Sequence, residues 1–212
     1  YYVRAMTREA VNDTYERLIK VAKGAAMMTE TELEIEYHGG CYNTLPNMGL
    51  ANQTRDIMLR QGPTQWSEEE LAFAQALNET SDQYEAMKAA GKLDKGPLHT
   101  EVNPLTVSDS FGSTDVGDVQ HIVPCIMVCT ATYPLAVSGH SWQLTAAAGM
   151  SIGYKGMIYG ANVMADAAIE LIDKPEILKA AQEEFNESMK GKTYNCPIPA
   201  ELPIPQPDGS KK

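Results

Sequence analysis

The sequence predicts a fold in which strands and helices alternate, and three segments near its beginning carry this prediction. The stretch "YYVRA" at residues 1–5 is aromatic and β-branched, which is typical of a strand. Apolar side chains then recur at helical spacing from Thr7 to about Met28 and predict a helix. The following "TELEIEYHG" alternates apolar and acidic residues, the pattern of a strand with one solvated face. Strand, helix and strand in succession predict half of a small α+β sandwich.

The helices in the middle of the chain have clear boundaries in the sequence. One is predicted from about residue 47 to residue 61, because a Gly-Pro pair follows it and ends the helical pattern. The next helix begins at Ser67 and Glu70, whose spacing of three residues is that of a capping box. Residues 88–106 are polar and contain glycines and prolines, so they are predicted to form a long loop.

An apolar run and a long helix follow in the second half of the chain. The run "IVPCIMVCTATYPLAV" predicts a strand, and a helix is predicted from about residue 141 to residue 172. Each glycine inside a helix costs about 1 kcal/mol relative to alanine. Since four of them recur on one face of this helix, we expect that face to pack very closely against a sheet; they are Gly149, Gly153, Gly156 and Gly160. A last helix is predicted at 175–190, and the proline-rich tail "CPIPAELPIPQP" is predicted to wrap the surface.

Composition limits the classes of partner. The chain has 212 residues, of which 43% are hydrophobic, enough for a proper core in one or two domains. Its formal net charge is -11 at pH 7, so nucleic acids and anionic membrane surfaces would repel it. No apolar run in the sequence reaches the length of a membrane span. We therefore expect neither a nucleic-acid partner nor a membrane partner.

The four cysteines are unevenly spaced along the chain, at Cys41, Cys125, Cys129 and Cys196. Cys125 and Cys129 are four residues apart in the apolar run, so in a strand they would point to the same face. This pattern favours buried thiols in a reducing compartment, and we expect a cytoplasmic protein. A catalytic or metal-binding thiol is the less favoured alternative.

Four polar residues are the candidates for chemistry: Asp115, Asp118, His121 and His140. His140 stands between Gly139 and Ser141, two small residues that leave its imidazole accessible. Loop aspartates and histidines could converge on a divalent metal, but an Asp in a Gly/Ser/Thr loop is more often a turn or capping residue. A nucleophile formed by Cys125 or Cys129 with His140 is a second alternative, although no cationic neighbour is visible to activate the thiol. From the spacing alone these alternatives stay open.

Several motifs, taken in order, resemble one enzyme family. The series "FGSTDVGDVQHIVP", "SGHSWQ", "AAAGMSIGYKGM" and "GKTYNCPIP" resembles the C-terminal part of the aminoacylase/carboxypeptidase-type metallopeptidases, family M-twenty. Within that family it looks most like the branch that contains the B subunit of aminobenzoyl-glutamate hydrolase. The resemblance covers nearly the whole chain. It implies an α/β fold: residues 46–212 would be the second half of a zinc-peptidase-like catalytic domain, and residues 1–45 the closing part of a small ferredoxin-like lid or dimerisation domain.

The resemblance also implies a site. His140 would be the C-terminal metal ligand, with the other ligands and the general-base glutamate upstream of residue 1. Two divalent ions, zinc or manganese, would activate water to hydrolyse the amide bond of an N-acyl amino acid, with p-aminobenzoyl-glutamate as a candidate. The loop "GSTD" matches the position where the family binds the substrate carboxylate. Ser113 and Thr114 would make that contact, and Asp115 would brace the loop.

The expected partners and the alternative functions follow from the same resemblance. The chain alone would be inactive, because the N-terminal part of the enzyme would supply most of the site. Through the lid domain it would pair with a second copy or a related subunit. The alternatives are a non-catalytic assembly module with a vestigial metal histidine and a cysteine-dependent hydrolase. No family role attaches to Asp118 or His121, which are expected to be structural.

Overall fold

A computed structural model describes residues 1–106, 112–200 and 202 of the chain. Within these ranges it contains eight helices, numbered here in chain order: α1 (Arg8–Thr29), α2 (Met48–Gln61), α3 (Glu68–Glu79), α4 (Tyr84–Ala89), α5 (Val116–Gln120), α6 (Trp142–Ala148), α7 (Ser151–Asp173) and α8 (Pro175–Ser188). None of these helices combines the length with the apolar character that crossing a membrane requires.

The α/β fold expected from the sequence is wrong. In the described residues the structure has helices but neither a strand nor a sheet, so the first segment is not a ferredoxin-like lid and the second is not half of an α/β domain. Leu33 and Ile35, predicted on the buried face of a strand, are 40% and 47% exposed. Alternating side chains favour local extension, but a strand forms only when its backbone groups pair with a neighbouring strand.

Helix predictions that rest on local signals are confirmed. α1 begins where the periodicity starts, because the Thr7 hydroxyl accepts a hydrogen bond from the backbone N–H of Ala10, at 3.3 Å. The capping box of α3 is complete: Ser67 Oγ accepts from the Glu70 N–H, and the Glu70 carboxylate accepts from the Ser67 N–H at 2.7 Å. α2 ends at Gln61, and the following Gly62 has a φ of 76°, which only glycine adopts without strain. These helix boundaries could be predicted from the sequence because each depends only on residues close to it in the chain.

The chain divides into two compact units. Unit 1 comprises residues 1–47, 107–125 and 182–212; unit 2 comprises residues 48–106 and 126–181. α1 and α5 belong to unit 1, whereas α2, α3, α4, α6 and α7 belong to unit 2. α8 contributes residues to both units. The division of the sequence at residues 45 and 46, which rests on the family resemblance, stays a prediction.

The core of unit 2 forms where α3, α6 and α7 meet the loop after α4. One buried cluster comprises Ala74, Leu98 and Ile152, and a second comprises Leu77, Val137 and Ala147. Burying apolar surface in this way stabilises the unit by about 25 cal/mol per Å². The helices are therefore held by contacts between elements distant in the sequence.

A buried amide fixes the irregular part of unit 2. Asn78, at 0% exposure, donates from Nδ2 to the carbonyl of Pro97 at 3.1 Å and accepts at Oδ1 from the N–H of Ala136 at 2.8 Å. The N–H of Leu135 donates to the same Pro97 carbonyl at 2.9 Å. This arrangement connects the predicted loop, which has neither helix nor strand from residue 90 to residue 106, to the segment before α6.

The predicted long glycine-rich helix is two helices, because α6 ends at Ala148, with Gly149 as its C-cap, and α7 begins at Ser151. The close approach predicted for its glycines is confirmed at two positions. A Cβ at Gly156 would collide with the carbonyl of Ala131, and a Cβ at Gly153 would collide with the backbone of Ala148. The packing partners are an irregular segment and the preceding helix, so the expected sheet is wrong while the tight packing is real.

The proline-rich tail is described only as far as residue 200 and at residue 202, so the predicted wrapping of residues 203–207 lies outside the described residues. Tyr37 donates from its hydroxyl to the carbonyl of Pro197 at 2.9 Å, which ties the beginning of the tail to the rest of unit 1.

Candidate functional site

His140 lies in a tight turn of unit 2 immediately before α6. The turn is held by Ser141, whose hydroxyl donates to the carbonyl of Ser138 at 2.8 Å and accepts from the N–H of Leu144 at 3.2 Å. Ser141 is thus the N-cap of α6 as well as the closing residue of the turn. His140 itself is exposed, which agrees with the accessible imidazole expected from its small neighbours.

The backbone of His140 is in the left-handed region, with φ of 59°. Residues other than glycine rarely adopt this conformation, which costs on the order of 1–2 kcal/mol for an L-residue. Since the side chain is exposed, packing does not repay this cost. Non-glycine residues in strained backbone cluster at functional sites, so the conformation favours a functional interpretation of His140.

The loop containing Ser113, Thr114 and Asp115 lies in unit 1 and leads into α5. The Thr114 hydroxyl accepts from the N–H of Val116 at 3.3 Å, whereas Ser113 is exposed. Asp115 occupies the N-cap position of α5, but among the described residues its carboxylate makes no capping hydrogen bond. Thr114 therefore provides the local hydrogen bond that orders this loop, and the Asp115 carboxylate faces solvent.

Asp118 joins three separate segments of unit 1. Its Oδ2 accepts from the N–H of Tyr42 at 3.2 Å, and its Oδ1 accepts from the hydroxyl of Tyr194 at 3.1 Å. Tyr42 in turn accepts at its hydroxyl from the N–H of Asn195 at 3.1 Å, and its ring lies 4.9 Å from that of Tyr194. Burial, followed by the hydrogen bond to Asp118, raises the pKa of Tyr194. These contacts make Asp118 a structural residue that orders both tyrosines.

His121 packs into the same part of unit 1. Its side chain is buried, its Nδ1 lies 2.8 Å from the carbonyl of Gly117, and its ring centroid lies 4.6 Å from that of Tyr42. Because a carbonyl oxygen only accepts, Nδ1 carries the proton in this contact. Gly117 is required here, since a Cβ would collide with the carbonyl oxygen of Tyr42. The packed, structural interpretation of His121 fits this geometry.

Sequence reasoning missed this arrangement around Tyr42 and Tyr194. Nothing in the sequence pairs two tyrosines separated by about 150 residues. The one available signal was the Gly-Asp pair at Gly117 and Asp118, in which a glycine permits close approach and an acid follows it directly. That signal is compatible with a turn, and it does not identify the partners.

The prediction of buried thiols is wrong. All four cysteines are thiols rather than disulfides, but Cys41, Cys129 and Cys196 are exposed and Cys125 is half-buried. The strand on which the predicted burial depended is absent from the described residues. Burial, together with the nearby Asp118 and Asp115 carboxylates, raises the pKa of Cys41, which disfavours its thiolate.

The predicted site residues lie in different units, Ser113, Thr114 and Asp115 in unit 1 and His140 in unit 2. Within the described parts of the chain, no three His, Cys, Asp or Glu side chains come together in a group able to hold a metal ion. The roles given to these four residues by the family resemblance stay predictions.

Comparison with known proteins decides what the chain resembles. Over 216 aligned residues, 32% are identical to those of a curated bacterial protein, and the match takes in 94% of this chain. The chain is similar to the B subunit of p-aminobenzoyl-glutamate hydrolase from Escherichia coli (strain K12). It spans 45% of the length of that relative. No family model and no solved structure matches.

The similarity to this relative supports a relation between the chain and aminobenzoyl-glutamate hydrolase, which the motifs also indicated. Membership of the metallopeptidase family and the use of a metal stay predictions. Because the match extends over nearly the whole chain, it includes both units and therefore both the Ser113 loop and the His140 turn.

Proposed function

We propose that this chain is part of a hydrolase that cleaves the amide bond of p-aminobenzoyl-glutamate or of a related N-acyl amino acid. The observation that carries the proposal is the 32% identity to the Escherichia coli hydrolase over 94% of the chain. The strained, exposed position of His140 supports it, since a histidine in such a turn is displayed rather than packed.

In this proposal His140 contributes one imidazole ligand to a divalent cation, zinc or manganese, in a site with two ions. Imidazole is a common ligand of zinc, whereas manganese prefers oxygen ligands. The described residues hold too few donors for a complete site, so the other ligands and the general base would come from elsewhere in the enzyme. When bound, such a cation lowers the pKa of a coordinated water to near neutrality.

The Ser113 loop is proposed to bind the carboxylate of the substrate. Ser113 is exposed and so its hydroxyl can donate to an anion, whereas the Thr114 hydroxyl accepts from Val116 and orders the loop around it. Asp115 would brace the loop through its backbone rather than through a capping carboxylate.

The proposed partner is a second polypeptide of the hydrolase, because the relative is named as a subunit. A homo-oligomer formed through residues 1–45 is the alternative. Sedimentation of the complete enzyme, alone and with its candidate partner polypeptide, distinguishes the two arrangements.

The decisive experiment compares His140→Ala with His99→Ala in the complete hydrolase. Both histidines are exposed residues of unit 2. Among the described residues, the backbone carbonyl of His99 accepts from Trp66 Nε1 at 2.8 Å, a contact that His99→Ala preserves. Hydrolysis is followed by release of p-aminobenzoate. We expect His140→Ala to reduce kcat/KM at least about a hundredfold and to lower the metal content, and His99→Ala to retain both.

A parallel assay uses the 212-residue chain alone, for which we expect no hydrolysis with or without added manganese or zinc. Robust hydrolysis by the isolated chain would contradict the proposal that other parts of the enzyme complete the site. Activity of His140→Ala close to that of the parent in the complete hydrolase would contradict the role of His140.

A further inference from the structure

A cavity of about 450 Å³ lies in unit 1, between the first turn of α1 and residues 193–199. Its volume falls in the range of roughly 300–1,000 Å³ that is typical of small-ligand pockets in proteins. We call it the α1 pocket. The polar side chains that line it include Arg8, Glu9, Asn12, Tyr42 and Asn195. All of its lining residues belong to unit 1, so the pocket is formed within that unit.

The cation of the α1 pocket is the guanidinium of Arg8, a half-buried residue. The backbone N–H of Arg8 donates to Asn43 Oδ1 at 3.3 Å, but among the described residues its guanidinium has neither a hydrogen-bond acceptor nor a carboxylate partner. Gly40 leaves the space beside it, because a Cβ there would lie 2.6 Å from Nη1 of Arg8. A guanidinium has five N–H donors in a planar fork that matches a carboxylate. Arg8 therefore offers a carboxylate-binding group to a ligand in this pocket.

The anion of the α1 pocket is the carboxylate of Glu9, the residue next to Arg8. Its own backbone N–H and the Thr7 hydroxyl lower the pKa of the Glu9 carboxyl, so the group is ionised at neutral pH. A ligand with only a negative charge would be repelled by Glu9, and a ligand with only a positive charge would be repelled by Arg8. A ligand that carries both charges is attracted to both residues.

Two side-chain amides add hydrogen-bonding groups to the α1 pocket. Asn12 lies four residues after Arg8, on the same face of α1, and among the described residues its amide makes no hydrogen bond. Its Nδ2 can therefore donate to a carboxylate. Asn195 donates from Nδ2 to the carbonyl of Thr193 at 3.4 Å, which leaves its Oδ1 to accept from an ammonium group. The hydrogen bond from the Asn195 N–H to the Tyr42 hydroxyl holds this segment in place.

We propose that the α1 pocket binds a free α-amino acid, with its carboxylate on Arg8 and Asn12 and its ammonium group on Glu9 and Asn195. The two charges of an α-amino acid are separated by a single carbon atom, and the two charged residues of the pocket are neighbours in the chain. Charge complementarity of this kind neutralises Arg8 and Glu9 together, which neither a phosphate nor a metal cation would do.

The identity of the amino acid rests on the proposed function. Hydrolysis of p-aminobenzoyl-glutamate breaks the amide C–N bond, adds the hydroxyl of water to the carbonyl carbon and leaves a proton on nitrogen, which becomes the ammonium group of glutamate. In the N-acyl substrate this nitrogen is acylated and uncharged, so it cannot pair with Glu9. The α1 pocket should therefore distinguish the released amino acid from the substrate.

The test is a titration of the 15N-labelled 212-residue chain at pH 7, followed by 1H–15N correlation spectra. The probes are L-glutamate, L-glutamine and N-acetyl-L-glutamate, of which the last lacks the ammonium group. We expect the shifts to concentrate at the side-chain Nε–H of Arg8 and at the side-chain amides of Asn12 and Asn195. Both amino acids should bind at least about tenfold more tightly than N-acetyl-L-glutamate, which leaves Glu9 without a partner.

Variants assign the two charges. Arg8→Gln and Glu9→Gln should each weaken the binding of L-glutamate at least about tenfold, whereas Arg17→Gln, at an exposed arginine further along α1, should leave it unchanged. Far-UV circular dichroism checks that each variant is folded. Glu9→Gln should also abolish the preference for L-glutamate over N-acetyl-L-glutamate, a change in selectivity that a loss of folding would not produce.

Several outcomes would overturn the inference. They are an absence of binding by both amino acids, shifts located away from the α1 pocket, and equal affinity for L-glutamate and N-acetyl-L-glutamate in the parent chain. The assay of hydrolysis is separate. A chain that binds L-glutamate in this pocket, from a complete hydrolase that releases no p-aminobenzoate, would refute the proposed substrate and retain the amino-acid site.

Discussion

Acidification should destabilise unit 2 through one carboxylate, Glu70, in the first turn of α3. Glu70 is 5% exposed and lies 2.6 Å from Nζ of Lys155 on α7. Burial alone would raise the pKa of Glu70, but hydrogen bonds from Lys155 and from the Ser67 backbone outweigh it and lower the pKa from 4.5 to about 2. A carboxylate with a lowered pKa stabilises the fold above its unfolded pKa. That contribution is lost as the pH falls from 4.5 to about 2.

The size of the effect follows from the two pKa values of Glu70. The difference between 4.5 and about 2 corresponds to about 3 kcal/mol of unfolding free energy. The side chain of Lys155 is 41% exposed, so water screens the pair, and we expect about 1–3 kcal/mol.

Glu70→Gln isolates this contribution, because its amide oxygen can still accept from the Ser67 N–H and preserve the capping box. Urea unfolding is followed by far-UV circular dichroism at pH 6 and at pH 3. The parent should lose about 1–2 kcal/mol more than Glu70→Gln over this range, because pH 3 still lies above the lowered pKa of Glu70. Glu69→Gln, which removes an exposed charge from the same turn, is the control and should follow the parent. Equal losses in the parent and in Glu70→Gln would refute the reasoning.

Two further predictions concern close packing and the tyrosine contacts of unit 1. Gly156→Ala should lower the free energy of unfolding by about 1–3 kcal/mol, because its Cβ meets the carbonyl of Ala131, whereas Gly160→Ala, whose nearest neighbour is 3.4 Å away, should be neutral or slightly stabilising. Denaturant midpoints of the two variants check this, and equal midpoints would contradict it. Asp118→Asn should cost about 1–3 kcal/mol, since an amide can accept only one of the two hydrogen bonds from Tyr42 and Tyr194. If Asp118→Asn unfolds with the parent, these hydrogen bonds contribute no net stability.

The sequence predicted those parts of the fold that depend on neighbouring residues. Ser67 and Glu70 lie within one turn, so the start of α3 could be read directly. The need for glycine at Gly156 was also visible, because a glycine inside a helix is costly unless a backbone comes close. The glycine spacing could not predict which segment of backbone lies against Gly156. The expected sheet was wrong because strand pairing is a contact between distant segments, and Leu33 and Ile35 alternate without such a partner.

The candidate site was predictable to a similar degree. The small neighbours of His140 predicted an accessible side chain, and His140 is exposed. Its left-handed backbone was not predictable, because a sequence with Gly139 beside His140 places that conformation at the glycine. Asp118 was left without a role because its partners, Tyr42 and Tyr194, lie 76 residues away on either side. Such convergence is a property of the tertiary structure.

The buried amide of Asn78 has a consequence for how the chain resists proteases. A segment without helix or strand is ordinarily where a protease cuts first, because it detaches locally. The loop of residues 90–106 cannot detach in that way, since Pro97 is bonded to Asn78 and Leu98 lies in the core cluster with Ala74. Around Pro97 and Leu98, cleavage would therefore have to wait until the C-terminal turn of α3 opens, and this part of the loop would be cut at the rate at which unit 2 unfolds.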